Sequence, residues 1–173
     1  LQARFAQREA AWPPRGLFLR AFNEEMRLEL WASAREGHAR VKVYDWAICA
    51  QSGALGPKRR EGDGQIPEGV YTIARFNPRS RFHLSMGLNY PNAADRARAG
   101  EGDPGSDIFI HGDCVSVGCL AIRNGPVELL YLAAAMAREG GQRRIPAHLF
   151  PCRFGALSCE DVLQDGETTD PEL

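Results

Sequence analysis

The chain shows none of the usual signs of metal, membrane or nucleic-acid work. Its five cysteines form no C-x-x-C pair and its four histidines supply no zinc-finger spacing. No apolar run approaches the length of a membrane span. A formal charge of −1 gives no electrostatic reason to expect nucleic acid or an anionic membrane as partner. Leu1 brings neither an initiating methionine nor a signal-peptide pattern, so the expectation is a mature or trimmed chain whose targeting segment is gone. What is present suits one domain with a sizeable core: 173 residues, 44% of them hydrophobic.

Cys49, Cys114, Cys119, Cys152 and Cys159 are an odd number. In an oxidising compartment that permits two disulfides and one free thiol, with the pairing left open. Cys152 and Cys159 could close a small C-terminal loop and are the first pair to expect. Cys114 and Cys119 flank a turn, and pairing them would silence a site built on either thiol.

Taken in order, residues 1–11 have helix-forming composition, which Trp12-Pro13-Pro14 stops, so residues 1–16 are read as a helical or linker segment. Leu17–Phe22, Met26–Trp31 and Ala39–Tyr44 read as strands, the last two alternating apolar and charged residues, with Gly37 marking the turn between them. Residues 51–69 are too rich in glycine and charge for helix or central strand; they are either an ordered loop shaping a cleft or a flexible excursion. Val70–Ile73 reads as a strand, and Asn77–Asp107 as a second irregular region. Beyond Asn124-Gly125-Pro126, the apolar positions Val127, Leu130, Tyr131 and Ala134 predict a helix that ends at Gly140-Gly141. Ile145–Phe150 reads as a last core strand, and residues 160–173 as a loosely held acidic tail.

Ile108–Arg123, I-F-I-H-G-D-C-V-S-V-G-C-L-A-I-R, carries the chemistry. An apolar strand delivers His111 and Gly112 to its end, and Cys119 follows Ser116 and Gly118. A soft nucleophile, an imidazole and glycines that admit close backbone are the parts of a cysteine acyl-transfer site. The bland alternative is a buried histidine and a packed thiol.

Ser116-Val117-Gly118-Cys119 downstream of His111-Gly112 resembles the signature of the YkuD-type L,D-transpeptidase catalytic domain, and most closely its YafK-like branch. Leu55–Lys58, Glu61–Gln65, Pro67–Tyr71, Phe82–Ser85, Tyr90–Asn92 and Asp95-Arg96 resemble that branch in the same order, so that the likeness covers Leu17 to Phe154. Val117 stands where the broader family has His, and Ala121 where Arg or Asn is common.

The resemblance implies a mainly β (α+β) fold, a YkuD-like mixed or antiparallel β-sandwich over residues 17–159, with one main helix and long cleft-forming loops. It implies a periplasmic, monomeric enzyme without metal or organic cofactor. Such an enzyme acts on peptidoglycan stem peptides through a Cys119 acyl-enzyme, formed at an L-centre carbonyl that is usually meso-diaminopimelate. An amine then resolves the acyl group to make a crosslink. The same acyl-enzyme passed to water would cleave crosslinks or detach diaminopimelate-linked protein. A third possibility is a peptidoglycan-binding module that has lost its chemistry. A carbapenem is expected to acylate Cys119.

Within that frame His111 is the base, oriented by a backbone carbonyl or a hydroxyl such as that of Ser116, with Gly112 and Ser116 supporting. Gly118 lets the turn bend, so that the N–H groups of Gly118 and Cys119 can face an oxyanion. His83, Lys58, Tyr90 and Arg153 are candidate substrate contacts, and Arg81 and Arg96 could also pair with carboxylates. Asp95-Arg96 reads more readily as an internal ion pair. Cys114 is the rival nucleophile, better suited to a buried structural role. His148 is read as packing and His38 as solvated surface.

Overall fold

The structure, a computed structural model, describes residues 1–36, 39–155 and 159. Gly37, His38 and the 160–173 tail lie outside the described residues, and with them the expectations placed there.

The alternation seen in the sequence becomes a three-stranded meander: β1 (Phe18–Phe22), β2 (Arg27–Ser33) and β3 (Arg40–Ala47), paired antiparallel. Leu19, Ala21, Leu28, Leu30, Ala32 and Val43 turn inward and are buried, while the residues between them lie on the outer face, where Glu29 is nonetheless covered by its neighbours. β4 (Gly69–Asn77) begins at the Pro67-Glu68-Gly69 entry and outruns the expected strand. β5 (Ser85–Leu88), β6 (Phe109–His111), β7 (Leu120–Ala121) and β8 (Pro146–Phe150) complete one mixed sheet in the order β3-β2-β1-β8-β4-β5-β6-β7. The mainly β expectation holds, in the form of a single sheet that curls back on itself. Past β3 the chain reaches the other edge: Ala50 bridges Ala121, and Cys49 N–H donates to the Ala121 carbonyl at 2.7 Å.

Helix α3 (Asn124–Glu139) buries Val127, Leu130, Ala133, Ala134 and Ala137 against the sheet, as its periodicity predicts. α1 (Gln2–Gln7) is more than a linker. Its Phe5 is fully buried, packs edge-on against Trp12, and joins the core of the strands. The region 77–107 is more regular than expected, holding β5 and also α2 (Ala93–Ala99). α2 opens on a capping box in which Asn92 and Asp95 satisfy each other's backbone N–H. Asp95 also accepts from the Tyr71 hydroxyl at 2.9 Å and Arg96 donates to the Pro91 carbonyl at 2.6 Å, so the two residues serve separate partners rather than each other.

The loop between β3 and β4 is ordered by its own polar groups. Asp63 accepts from Lys58 Nζ at 2.7 Å and from the N–H groups of Arg59, Arg60 and Gln65, which together outweigh burial and hold its carboxyl at about 2. The same loop reaches the Ser116–Cys119 turn, where Ser52 accepts from the Gly118 N–H.

Candidate active site

Registers across β4–β7 sort the side chains into rows. Phe76, Met86, Ile110 and Leu120 share one row, on the side where Tyr131 of α3 packs against Phe76 with ring centroids 5.1 Å apart. The flanking rows face the other way. One runs Asn77, Ser85, His111, Ala121. The other runs Arg75, Gly87, Phe109 and then Cys119, whose Sγ accepts from Phe109 N–H at 3.4 Å. His111 and Cys119 thus stand in adjacent rows on one face of neighbouring strands.

His111 is buried, and its Nδ1–H donates to the Gly112 carbonyl at 2.6 Å. A carbonyl only accepts, so the proton sits on Nδ1 and the Nε2 lone pair is left for base chemistry. The orienting partner is therefore the backbone carbonyl and not Ser116. The Phe82 ring lies 4.8 Å from the imidazole. Burial lowers the imidazole's pKa below the usual 6.5, against a smaller opposing effect of the Gly112 carbonyl. Gly112 is required by space: a Cβ there would stand 2.6 Å from Asn124 Oδ1 and 2.8 Å from the Phe82 carbonyl.

Cys119 is the free cysteine, half-buried at the start of β7. Burial raises its pKa above the usual 9.0, with the Phe109 N–H acting in the opposite sense. Thiol and imidazole are thus both neutral at rest, rather than stored as a thiolate–imidazolium pair. Cys114 pairs with Cys49, and Cys152 with Cys159. Cys114 is structural as expected, though as an exposed disulfide half and not a buried thiol.

Two hydroxyls hold the turn before Cys119. Ser116 Oγ accepts from Cys119 N–H at 2.9 Å and donates to the Cys119 carbonyl at 2.6 Å. Ser52 Oγ accepts from Gly118 N–H at 2.7 Å and donates to the Gly64 carbonyl at 2.7 Å. Gly118 takes φ +88°, and a Cβ there would meet the Gln65 carbonyl at 2.9 Å, so only glycine fits. Both amides expected to face an oxyanion are consequently engaged at rest.

Of the proposed substrate contacts, His83 lies beside Gly112. Its Cβ would sit 3.0 Å from a Cβ on Gly112, and its Nε2 is 2.6 Å from Glu128 Oε1 at the exposed start of α3. The other three have partners within the chain, and Lys58 lies close enough to Cys119 for its charge to favour the thiolate. Lys58 is buried in its ion pair with Asp63. Tyr90 is buried and donates its hydroxyl to the Pro104 carbonyl at 2.6 Å. Arg153 lies across the Phe22 ring and bonds Glu29 at 2.8 Å, in the half of the sheet formed by β1 and β2. His148 packs edge-on against Phe18, as its reading supposed. Ser52 went unread, because its place follows from a loop closure that no local pattern announces.

Among the described residues, no three His, Cys, Asp or Glu gather as a metal site and no helix is long and apolar enough to cross a membrane. The family model for the L,D-transpeptidase catalytic domain, YkuD, matches residues 28–139. YafK of Escherichia coli strain K12, provisionally named an L,D-transpeptidase, is 36% identical over 140 residues, which cover 80% of this chain and 55% of YafK. The chain thus spans about half the length of that relative. Among solved structures, the helical cell shape determining protein Pgp2 of Campylobacter jejuni superposes with a TM-score of 0.62 at 18% identity, over 88% of this chain and 55% of Pgp2. Bd1075 of Bdellovibrio bacteriovorus gives 0.57 at 19%, over 92% and 56%.

Proposed function

Because the chain belongs to the L,D-transpeptidase catalytic-domain family, we propose that it is a periplasmic cysteine acyltransferase of peptidoglycan stem peptides. The observation that carries this reading is that the free thiol of Cys119 and a buried imidazole whose Nε2 is left as a base stand in adjacent rows on one face of the sheet. Two disulfides suit an oxidising compartment.

As Cys119 Sγ attacks an L-centre carbonyl, usually that of meso-diaminopimelate, His111 Nε2 takes its proton, so charge develops only along the reaction path. Collapse of the tetrahedral intermediate breaks the amide, and the imidazolium returns the proton to the leaving amine. His111 then deprotonates the incoming amine, which takes the acyl group and frees the thiol. For the Gly118 and Cys119 amides to hold the oxyanion, the Ser52 and Ser116 hydroxyls must yield as substrate arrives.

Incubation with defined muropeptides and mass identification of the products tests the reading. Crosslinked dimers are expected, with an acyl adduct on Cys119. Shortened monomers or released amine-bearing fragments would assign the acyl-enzyme to hydrolysis instead. An adduct on another residue, or no product at all, would overturn it.

A further inference from the structure

We infer that Lys58 is a positioning residue for Cys119: its buried ammonium steadies the thiolate as it forms, and Asp63 fixes and partly restrains that charge. The inference rests on the acyl-transfer reading above and deepens it, by assigning an electropositive neighbour to the thiolate. Lys58 is enclosed between two segments that border the thiol. On one side its Cε stands 3.2 Å from the place of a Cβ on Gly105. Two residues further on, the Asp107 carbonyl accepts from Cys119 Sγ at 3.8 Å. On the other side Nζ donates to Asp63 Oδ1 at 2.7 Å, and the next two residues reach the turn before Cys119. The Gly64 carbonyl takes the Ser52 hydroxyl that holds Gly118, and the Gln65 carbonyl stands 2.9 Å from the place of a Cβ on Gly118.

Asp63 does not need the lysine to be satisfied. Its Oδ1 also accepts from the Gln65 N–H at 3.0 Å, and its Oδ2 from the N–H groups of Arg59 and Arg60 at 2.9 and 3.0 Å. Three neutral amides would hold the carboxylate without an ammonium, and taking an ammonium out of water is costly. Both side chains are closed to solvent, at 6% and 10% exposure. The charge therefore acts on its surroundings through protein, where screening is weak.

Four influences meet at the thiol. Burial opposes ionisation and the Phe109 N–H favours it; the Asp107 carboxylate then opposes it and Lys58 favours it. Asp107 is 62% exposed and paired with Arg75, so water and the guanidinium blunt its effect, whereas Lys58 is shielded from water. His111, in the next row, is neutral at rest and becomes a cation only by taking the thiol proton. Lys58 is thus the standing positive charge at this site, in place before the proton moves.

The test is alkylation of Cys119 by iodoacetamide across pH, read by intact mass. The other four cysteines are held in disulfides, so the adduct reports this thiol and needs no turnover. Lys58→Met should raise the midpoint by up to about one pH unit, slowing alkylation up to about tenfold below it, with the plateau rate at high pH unchanged. Lys58→Arg should bring the midpoint back. Asp63→Asn should lower it, again with the plateau unchanged, because the ammonium is no longer restrained. On muropeptides Lys58→Met should lower kcat with KM steady. A merely structural brace, once cut, would open the site, so a Lys58→Met midpoint falling toward 9.0 with a higher plateau would overturn the inference. An unmoved midpoint would do the same, and with a raised KM it would assign Lys58 to substrate binding. Should Lys58→Met not fold, Asp63→Asn decides: no downward shift, or one accompanied by a higher plateau, sinks the idea. Each of these results leaves the acyl-transfer reading intact. A wild type that makes no muropeptide product would remove that reading, and the catalytic meaning of this inference with it, whatever the midpoints.

Discussion

Glu29 on β2 and the Cys119–His111 pair beside β7 lie toward opposite ends of the strand order, and burial acts on each. For Glu29 it is overruled. Burial alone would raise the carboxyl, but hydrogen bonds from Arg153, Trp31, Arg20 and Lys42, at 2.8–3.1 Å, hold it at about 2. For Cys119 and His111 burial prevails, because each has one backbone partner of consequence, and both groups become neutral. The contrast separates a polar group that braces a fold from one kept ready to react. Donors in excess fix a charge, whereas a shortage of them leaves protons free to move.

The largest effect expected from breaking this contrast is at the thiol. Cys119→Ala should abolish product formation on muropeptides. Cys114→Ala should instead cost about 2–4 kcal/mol of stability, the usual worth of a disulfide, read by denaturant unfolding. An equally dead, folded Cys114→Ala would contradict the assignment.

His111→Ala should lower the acylation rate by about two to four orders of magnitude with circular dichroism unchanged. The wild-type profile adds a sharper check. With the imidazole below 6.5 and the thiol above 9.0, activity should stay level across neutrality. It should decline only as pH falls through the lowered imidazole value, where Nε2 becomes protonated. A midpoint above 6.5 would indicate a stored ion pair instead.

Next in size is Glu29→Gln, which leaves several cations around a neutral amide. A carboxyl lowered from 4.5 to about 2 contributes about 3 kcal/mol at neutral pH. That contribution is present above the unfolded value of 4.5 and disappears as pH falls toward 2. Urea midpoints of wild type should therefore drop over that window, and those of Glu29→Gln should drop less. The acylation rate per folded molecule should be the same in both. Smallest is Ser52→Ala, expected to quicken acylation by up to about tenfold with KM steady, since the Gly118 amide no longer has to give up a hydroxyl as the oxyanion forms. Ser52→Thr, which keeps the hydroxyl, should stay near the wild-type rate.

The half of the sheet that holds Glu29 was also the half easiest to read. β1, β2 and β3 alternate in sequence because one face is core and the other is mostly half-exposed, with Glu29 and Phe22 covered there by their neighbours, and that period is written residue by residue. α3 was equally plain from its apolar stripe. The half with the thiol hides its strands: β5 is buried at all four positions and includes a glycine, and β7 is two residues long, so neither shows a period. α2 did carry a local signal, Asn92 followed by Asp95, that a search for caps would have found. His111, Gly118 and Cys119 were legible because a motif keeps them close in sequence. The internal partners of Lys58, Tyr90 and Arg153 were not legible, because a likeness marks where residues recur without saying what they bond. The parity of the cysteines foretold one free thiol, but the Cys49–Cys114 link spans 65 residues and only folding could show it.

That link has a kinetic meaning for the site. His111 and Cys119 belong to neighbouring strands, and the connector between them carries Cys114 near its middle. Anchoring the connector from outside limits how far the thiol can stray from the imidazole. On the acyl-transfer reading, the covalent tie thereby raises the effective molarity of nucleophile at base, a gain made once during oxidation and then available at every turnover.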